Sequence, residues 1–146
     1  YSRERAQYLN QFARFRTELA TKYWAYGTMR PAVELDVPFE TLDYYSYNVP
    51  QQAETYHKRG DVLVRSVLNS VYDFRDESRA YFFSNVSGET AEFSFTAQAP
   101  SAKDSYTIVL TDSAGQKKQL GTLAGGEMKE LTLSLGGLRI CMVELV

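Results

Sequence analysis

Between Tyr8 and Tyr26 the residues Tyr8, Phe12, Phe15, Leu19, Tyr23 and Tyr26 succeed one another at steps of four, three, four, four and three. Those steps keep all six on one face of an α-helix. Leu9, Ala13, Ala20 and Trp24 widen the stripe, while Arg3, Glu4, Arg14, Glu18 and Lys22 mark the wet side. Ser2 is placed to cap the start, Gly27 to end the helix, and Pro31 blocks any continuation. The spacing therefore predicts one long helix over Ser2–Tyr26. After Gly27 the period changes from helical to alternating, and no second long helix comes after it.

The remainder of the chain reads as strands. Pro31, Pro38 and Pro50 cut residues 30–48 into short extended pieces suited to a sheet edge. Residues 49–61 are polar and aperiodic, which predicts a long surface loop. Residues 62–74 carry Val62, Val64, Leu68 and Tyr72 on one parity and Leu63, Val67 and Val71 on the other, predicting a single strand covered on both faces. A turn at 75–78 leads to a second aromatic strand through Tyr81, Phe82 and Phe83. Phe93, Phe95 and Ala97 alternate with Glu92, Ser94 and Thr96, as a strand with one buried face does. Tyr106, Ile108 and Leu110 form the next inward set, and Leu131, Leu133 and Leu135 another. Gly125–Gly126 and Gly136–Gly137 read as hairpin turns, and the final stretch from Leu138 is apolar on both parities. Turns about every ten residues predict a mainly β fold, an antiparallel β-sandwich of about eight strands behind one long N-terminal α-helix. The division expected is 1–29 for the helix and 30–146 for the sandwich. The aromatic stripe exceeds what covering one sheet requires, so either helix or sheet is expected to meet a further domain.

A chain of 146 residues beginning at Tyr1 suits one domain, and is expected to be an excised or processed piece of something longer. A formal net charge of −2 and the lack of a basic aromatic patch argue against nucleic acid as a partner. No apolar run reaches the length of a membrane span. One Cys excludes an internal disulfide, and nothing indicates a compartment. The 14% of aromatics, with 11 Tyr and 8 Phe, suits strands but also sugar-binding surfaces.

The aromatic helix end (Lys22–Tyr23–Trp24–Ala25–Tyr26–Gly27), the run Ser70–Val71–Tyr72 before a charged turn, and the strand closing on Asn85–Val86–Ser87 carry a resemblance. The chain resembles the end of bacterial glycoside-hydrolase-like proteins, in which a (β/α)₈ barrel is followed by an all-β C-terminal domain. The pattern departs at the turn before Arg79, where such proteins often carry Gly and this chain has Glu77 and Ser78. The resemblance implies that the helix is the barrel's last one. It also implies that the sandwich is an accessory domain of a carbohydrate-active protein, its partner the preceding catalytic domain of the same polypeptide. The catalytic carboxylates of such enzymes sit at barrel strand ends.

No catalytic constellation emerges from the residues themselves. Glycoside hydrolysis needs two carboxyl groups set across a sugar. Glu34 with Asp36, or Asp73 with Asp76 and Glu77, are the available groups, and both read as solvated surface carboxylates. The second set also offers hard oxygen ligands for calcium, but without the spacing of an EF-hand. His57 has no second His or Cys to share a metal, and Cys141 sits between Ile140 and Met142 as a small hydrophobe. Accordingly no catalytic, cofactor-binding or metal-binding residue is assigned. Tyr45 and Tyr47 are the candidate carbohydrate contacts: they share a parity about 7 Å apart along a strand, a spacing for stacking successive sugar rings. Packing of these rings near Trp24 and Tyr26 is the alternative. Three roles stay open: a non-catalytic domain capping the barrel, an independent carbohydrate-binding module, or a general interaction or assembly domain unrelated to sugars; self-association through the N-terminal helix is a separate expectation. If the helix belongs to a barrel, Tyr23, Trp24 and Tyr26 should be its buried residues, and Tyr8, Phe12 and Phe15 should be partly exposed or covered by a second copy of the chain.

Overall fold

The structure is a computed structural model that describes residues 3–47 and 56–146, apart from the side chains at 44–47 and 56–59. Ser2, the expected cap, and residues 48–55 lie outside the described residues. The elements are α1 (Arg3–Arg14), a π-helical turn (Phe15–Leu19), α2 (Thr21–Tyr26), β1 (Thr28–Arg30), β2 (Phe39–Tyr47), β3 (Tyr56–Arg65), β4 (Val67–Asp73) and β5 (Arg79–Asn85). Next come β6 (Ala91–Gln98), β7 (Ser105–Thr111), β8 (Lys117–Ala124), β9 (Met128–Leu135) and β10 (Ile140–Leu145).

Six antiparallel strands form the main sheet in the order β1-β4-β5-β10-β7-β8, while β6 and β9 pair as a second layer and β2 and β3 pair as a separate hairpin. The helical segment covers the other face of the main sheet, so the molecule has three layers. Ten strands form among the described residues against about eight expected, the excess being the short β1 and the division of one long strand.

Alternation within β5 and β10 builds two cores. Tyr81 and Phe83 of β5, with Cys141, Val143 and Leu145 of β10, face Phe93, Phe95, Leu131 and Leu133 of the second layer. Phe83 lies 4.7 Å from Phe95 and 5.0 Å from Phe93, ring centroid to centroid. The intervening residues Ala80, Phe82, Ile140 and Met142 meet Phe15, Ala20 and Tyr23 on the other side. These are the doubly covered strands, as expected for the last one.

The long strand expected over 62–74 is instead two. Ser66 bends the chain between β3 and β4, and its N–H goes to the Pro38 carbonyl, 2.8 Å away. β4 enters the main sheet, but Val62 and Leu63 on β3 are exposed. Nor is 49–61 a loop throughout, because β3 already begins at Tyr56.

The single expected helix is also interrupted. The Ala20 N–H bonds the Phe15 carbonyl five residues back, at 2.7 Å, and Ala20 itself leaves helical geometry at φ −129°. The wide turn changes the buried spacing to Phe15, Ala20, Tyr23. Phe15 is therefore fully buried rather than partly exposed, and Tyr26 is 77% exposed rather than buried. Trp24, Tyr8 and Phe12 are partly buried. Gly27 ends α2, as expected, with extended backbone at φ −80° and ψ 165°. Glycine is needed there because a Cβ would overlap the Tyr23 carbonyl oxygen.

Gly125–Gly126 and Gly136–Gly137 are arches rather than hairpins. β8 pairs with β7 while β9 pairs with β6, and β10 pairs with β5 and β7, so each turn carries the chain from one sheet to the other.

Between Pro31 and Pro38 the chain is extended without a ladder. Val33, Leu35 and Val37 point into the core, and Asn69 substitutes for a strand partner. Its Nδ2 donates to the Val33 carbonyl and its Oδ1 accepts the Val33 N–H, both at 2.8 Å.

Candidate functional site

The residues singled out from the sequence are dispersed. Tyr45 and Tyr47 lie on β2, where the backbone register sets them opposite Lys58 and Tyr56, just past a bulge at Tyr44/Tyr45. Their side chains, like that of His57, fall outside the described residues.

The carboxylates each have their own surroundings. Glu34 and Asp36 are exposed on the extended strap. Asp73 receives Arg79 through Nε at 2.6 Å and Nη2 at 3.0 Å, with Arg30 at 3.4 Å. That paired carboxylate holds the Arg79 guanidinium above its usual range. Asp76 belongs to a different cluster, and Glu77 occupies a turn at φ 70°. Among the described residues no three His, Cys, Asp or Glu side chains are grouped to hold a metal. Cys141 is buried, and burial pushes its thiol up to about 12, so it remains protonated at neutral pH.

What the fold does bring together is the seam between the helical layer and the main sheet. The Tyr23 hydroxyl donates to the Glu144 Oε2 at 2.8 Å and lies 3.0 Å from the Ser78 Oγ. Ser78 in turn donates to Asp76, whose other oxygen meets the Lys22 ammonium at 2.8 Å. Glu144 and Ser78 are buried, so each link replaces a lost water. Burial drives the Tyr23 ionisation upward and Glu144 adds to this, which makes the phenol a fixed neutral donor. Partial burial opposes the charge on Asp76, yet the bonds from Lys22 and Ser78 hold it down at about 2. The chain of groups is bonded end to end, from Glu144 through Tyr23, Ser78 and Asp76 to Lys22, and ties the helical layer to the strands beneath.

Gln11 extends the seam. Its Nε2 donates to the Leu138 carbonyl at 2.8 Å, and its Oε1 accepts the Ile140 N–H at 3.0 Å. Arg14 reaches the Ala114 carbonyl at 2.7 Å. Beside these bonds a cavity of about 220 Å³ opens between α1 and strands β4, β5 and β10. Phe12, Phe15, Trp24, Leu68, Phe82 and Ile140 give it apolar walls.

Asn85 is a second lock. It is fully buried, and its Nδ2 donates to the carbonyls of Glu89 at 2.7 Å and Leu135 at 3.0 Å. Its Oδ1 accepts the Ser87 N–H at 3.0 Å and the Ser87 hydroxyl at 2.8 Å. The Asn85–Val86–Ser87 sequon thus ties the β5–β6 connection to the Gly136–Gly137 arch, with the atom that would carry a glycan already engaged. Sequence reading did not assign Gln11, Asn69, Asn85 or Glu144. The available signal was a polar residue inside an apolar run, as in Glu144 between Val143 and Leu145.

No protein-family profile matches the chain, and no curated protein matches it either. Among solved structures it is similar to a β-L-arabinopyranosidase of glycoside hydrolase family 27 from Geobacillus stearothermophilus, determined with arabinose. That match covers 55% of this chain and 17% of the other at 15% identity, TM-score 0.39. A Paenibacillus polymyxa xyloglucanase of glycoside hydrolase family 44 matches over 60% and 18% at 12% identity, TM-score 0.36. α-Galactosidase I from Mortierella vinacea matches over 53% and 20% at 13% identity, TM-score 0.32. This chain aligns with no more than 20% of the length of each, and the similarity to these glycoside hydrolase chains is distant.

Proposed function

We propose that this chain is a non-catalytic β-sandwich accessory domain of a glycoside-hydrolase-like, carbohydrate-active protein, where it caps and stabilises the catalytic barrel. The observation that carries the capping role is the β2–β3 hairpin. Phe39, Leu42, Val62 and Leu63 are exposed there, on both faces of a two-stranded sheet. A lone hairpin is marginal in water and gains from a neighbour that covers it. Leu9 and Tyr26, exposed on the helical layer, offer that neighbour a further contact. The carbohydrate part of the reading comes from the sequence resemblance. The non-catalytic part is supported by Asp73 and Asp76, each neutralised by a cation rather than paired across an open cleft.

In the parent protein, Leu63→Asp is expected to lower the barrel's unfolding temperature and leave the fold of this domain intact. An unchanged barrel midpoint would overturn the capping role. The chain alone should release no chromophore from a panel of nitrophenyl glycosides; turnover abolished by mutating one carboxylate here would show an active site. Independent glycan binding is the second reading, favoured by the register that places Tyr45 and Tyr47 across from Lys58 and Tyr56. Under it, Tyr45→Ala and Tyr47→Ala each weaken oligosaccharide binding by about 1–3 kcal/mol. Under the capping role, no saturable binding occurs at millimolar sugar.

A further inference from the structure

We propose that the cavity between α1 and the main sheet is a binding site for a small, planar aromatic molecule of one or two rings, bearing at most one hydroxyl. Its volume, about 220 Å³, exceeds the ~150 Å³ of an engineered apolar cavity that takes up benzene. The walls are ring faces and edges: Trp24 lies 6.3 Å from Phe12 at an interplanar angle of 25°, and 5.0 Å from Phe82 at 49°. Stacked and tilted ring contacts of that kind favour another ring over an alkyl chain.

The polar groups are too few for a sugar. Tyr8 and Ser84 share one hydrogen bond, Ser70 contributes a further hydroxyl, and the Asn69 amide is held at both ends by the Val33 backbone. A pyranose placed here would bury several hydroxyls without partners. A phenol needs one partner, which the Tyr8–Ser84 pair supplies. The cavity lies on the helical seam and not on the β2–β3 hairpin, so its occupancy is independent of the capping role.

Trp24 is the only tryptophan, so it reports directly on its own cavity. The full chain is titrated with p-cresol while Trp24 emission and thermal midpoint are followed, with methyl glucoside as the non-aromatic control. Saturable quenching with a Kd of about 1 mM or tighter, and a rising midpoint, are expected. Methyl glucoside should do neither. Ser70→Phe, which fills the cavity from β4, should weaken p-cresol binding at least about tenfold. If that variant does not fold, nuclear Overhauser contacts from the p-cresol ring to Ile140 and Phe82 in the unaltered chain decide the matter. Absence of saturation up to the solubility limit, equal binding by folded Ser70→Phe, or contacts only elsewhere would overturn the site.

Discussion

The N-terminal helical segment and the β2–β3 hairpin are both rich in apolar residues, and the fold treats them oppositely. On the helix, Phe15, Ala20 and Tyr23 lose all contact with solvent, and Gln11, Arg14, Lys22 and Tyr23 bond the strands or turns beneath. On the hairpin, Leu63 is 67% exposed and Phe39 56%, with Arg65 stacked 4.4 Å from the Phe39 ring centroid as partial cover. The difference lies in what each can reach. The helix lies over β5 and β10, which turn Ala80, Phe82, Ile140 and Met142 toward it and offer Ser84 and Glu144 to its tyrosines. The hairpin diverges from the main sheet at Ser66, and its apolar groups stand on two faces that no single layer can cover. Hydrophobicity alone does not determine burial; connection to a complementary face does.

The contrast breaks first at Phe15. Phe15→Ala opens a cavity under the helix and should cost about 3–5 kcal/mol in denaturant unfolding. A loss below about 1 kcal/mol would mean that the helical layer is not part of the cooperative unit.

Tyr23→Phe removes a hydroxyl from buried Glu144 and Ser78 and should cost about 1–3 kcal/mol. In the unaltered protein burial raises the Tyr23 ionisation above its ordinary value near 10. Its contribution is therefore complete below about pH 10 and falls as the pH rises beyond it, and alkaline unfolding should shift in Tyr23→Phe. Identical alkaline midpoints would contradict the lock.

Asp76 works in the other direction. Its carboxyl is held at about 2, so its contribution is complete above its ordinary range near pH 4 and disappears as the pH falls towards about 2. With the Asp76 side chain 45% exposed, screening limits this to about 1 kcal/mol or less. Lys22→Met should flatten stability in that window, which acid titration of the unfolding free energy would reveal. The smallest effect is reserved for the hairpin, where Leu63→Ala should change the isolated chain's stability by no more than about 0.5 kcal/mol.

Much of this was legible from periodicity. The alternation Phe93–Phe95–Ala97 and Leu131–Leu133–Leu135 marked two strands with one buried face, and the apolar last strand marked a doubly covered one. Periodicity does not carry partner identity, however. The Gly125–Gly126 and Gly136–Gly137 turns look like hairpins because a turn has the same residues whether the chain folds back on its neighbour or crosses to the other sheet. The bend at Ser66 was hidden for a related reason: Val64 and Val67 read as one apolar run, although a buried serine separates two sheets. Tyr26 fell outside the seam because the π turn at Phe15–Leu19 shifted the buried stripe, and spacing by three and four residues assumes no such turn. Of the seam itself, the aromatic stripe was readable, but the bond from Tyr23 to Glu144 joins residues 121 positions apart.

Hydrogen exchange, followed residue by residue in the chain alone and in the parent protein that the proposed capping role requires, tests the contrast most directly. Amides at Tyr23 and Trp24 are predicted to exchange only through global unfolding in both forms. Amides of Thr41–Asp43 and Val62–Leu63 should exchange through local opening in the isolated chain and become protected in the parent. A hairpin as protected as the helix in the isolated chain, or one that gains nothing in the parent, would contradict the contrast.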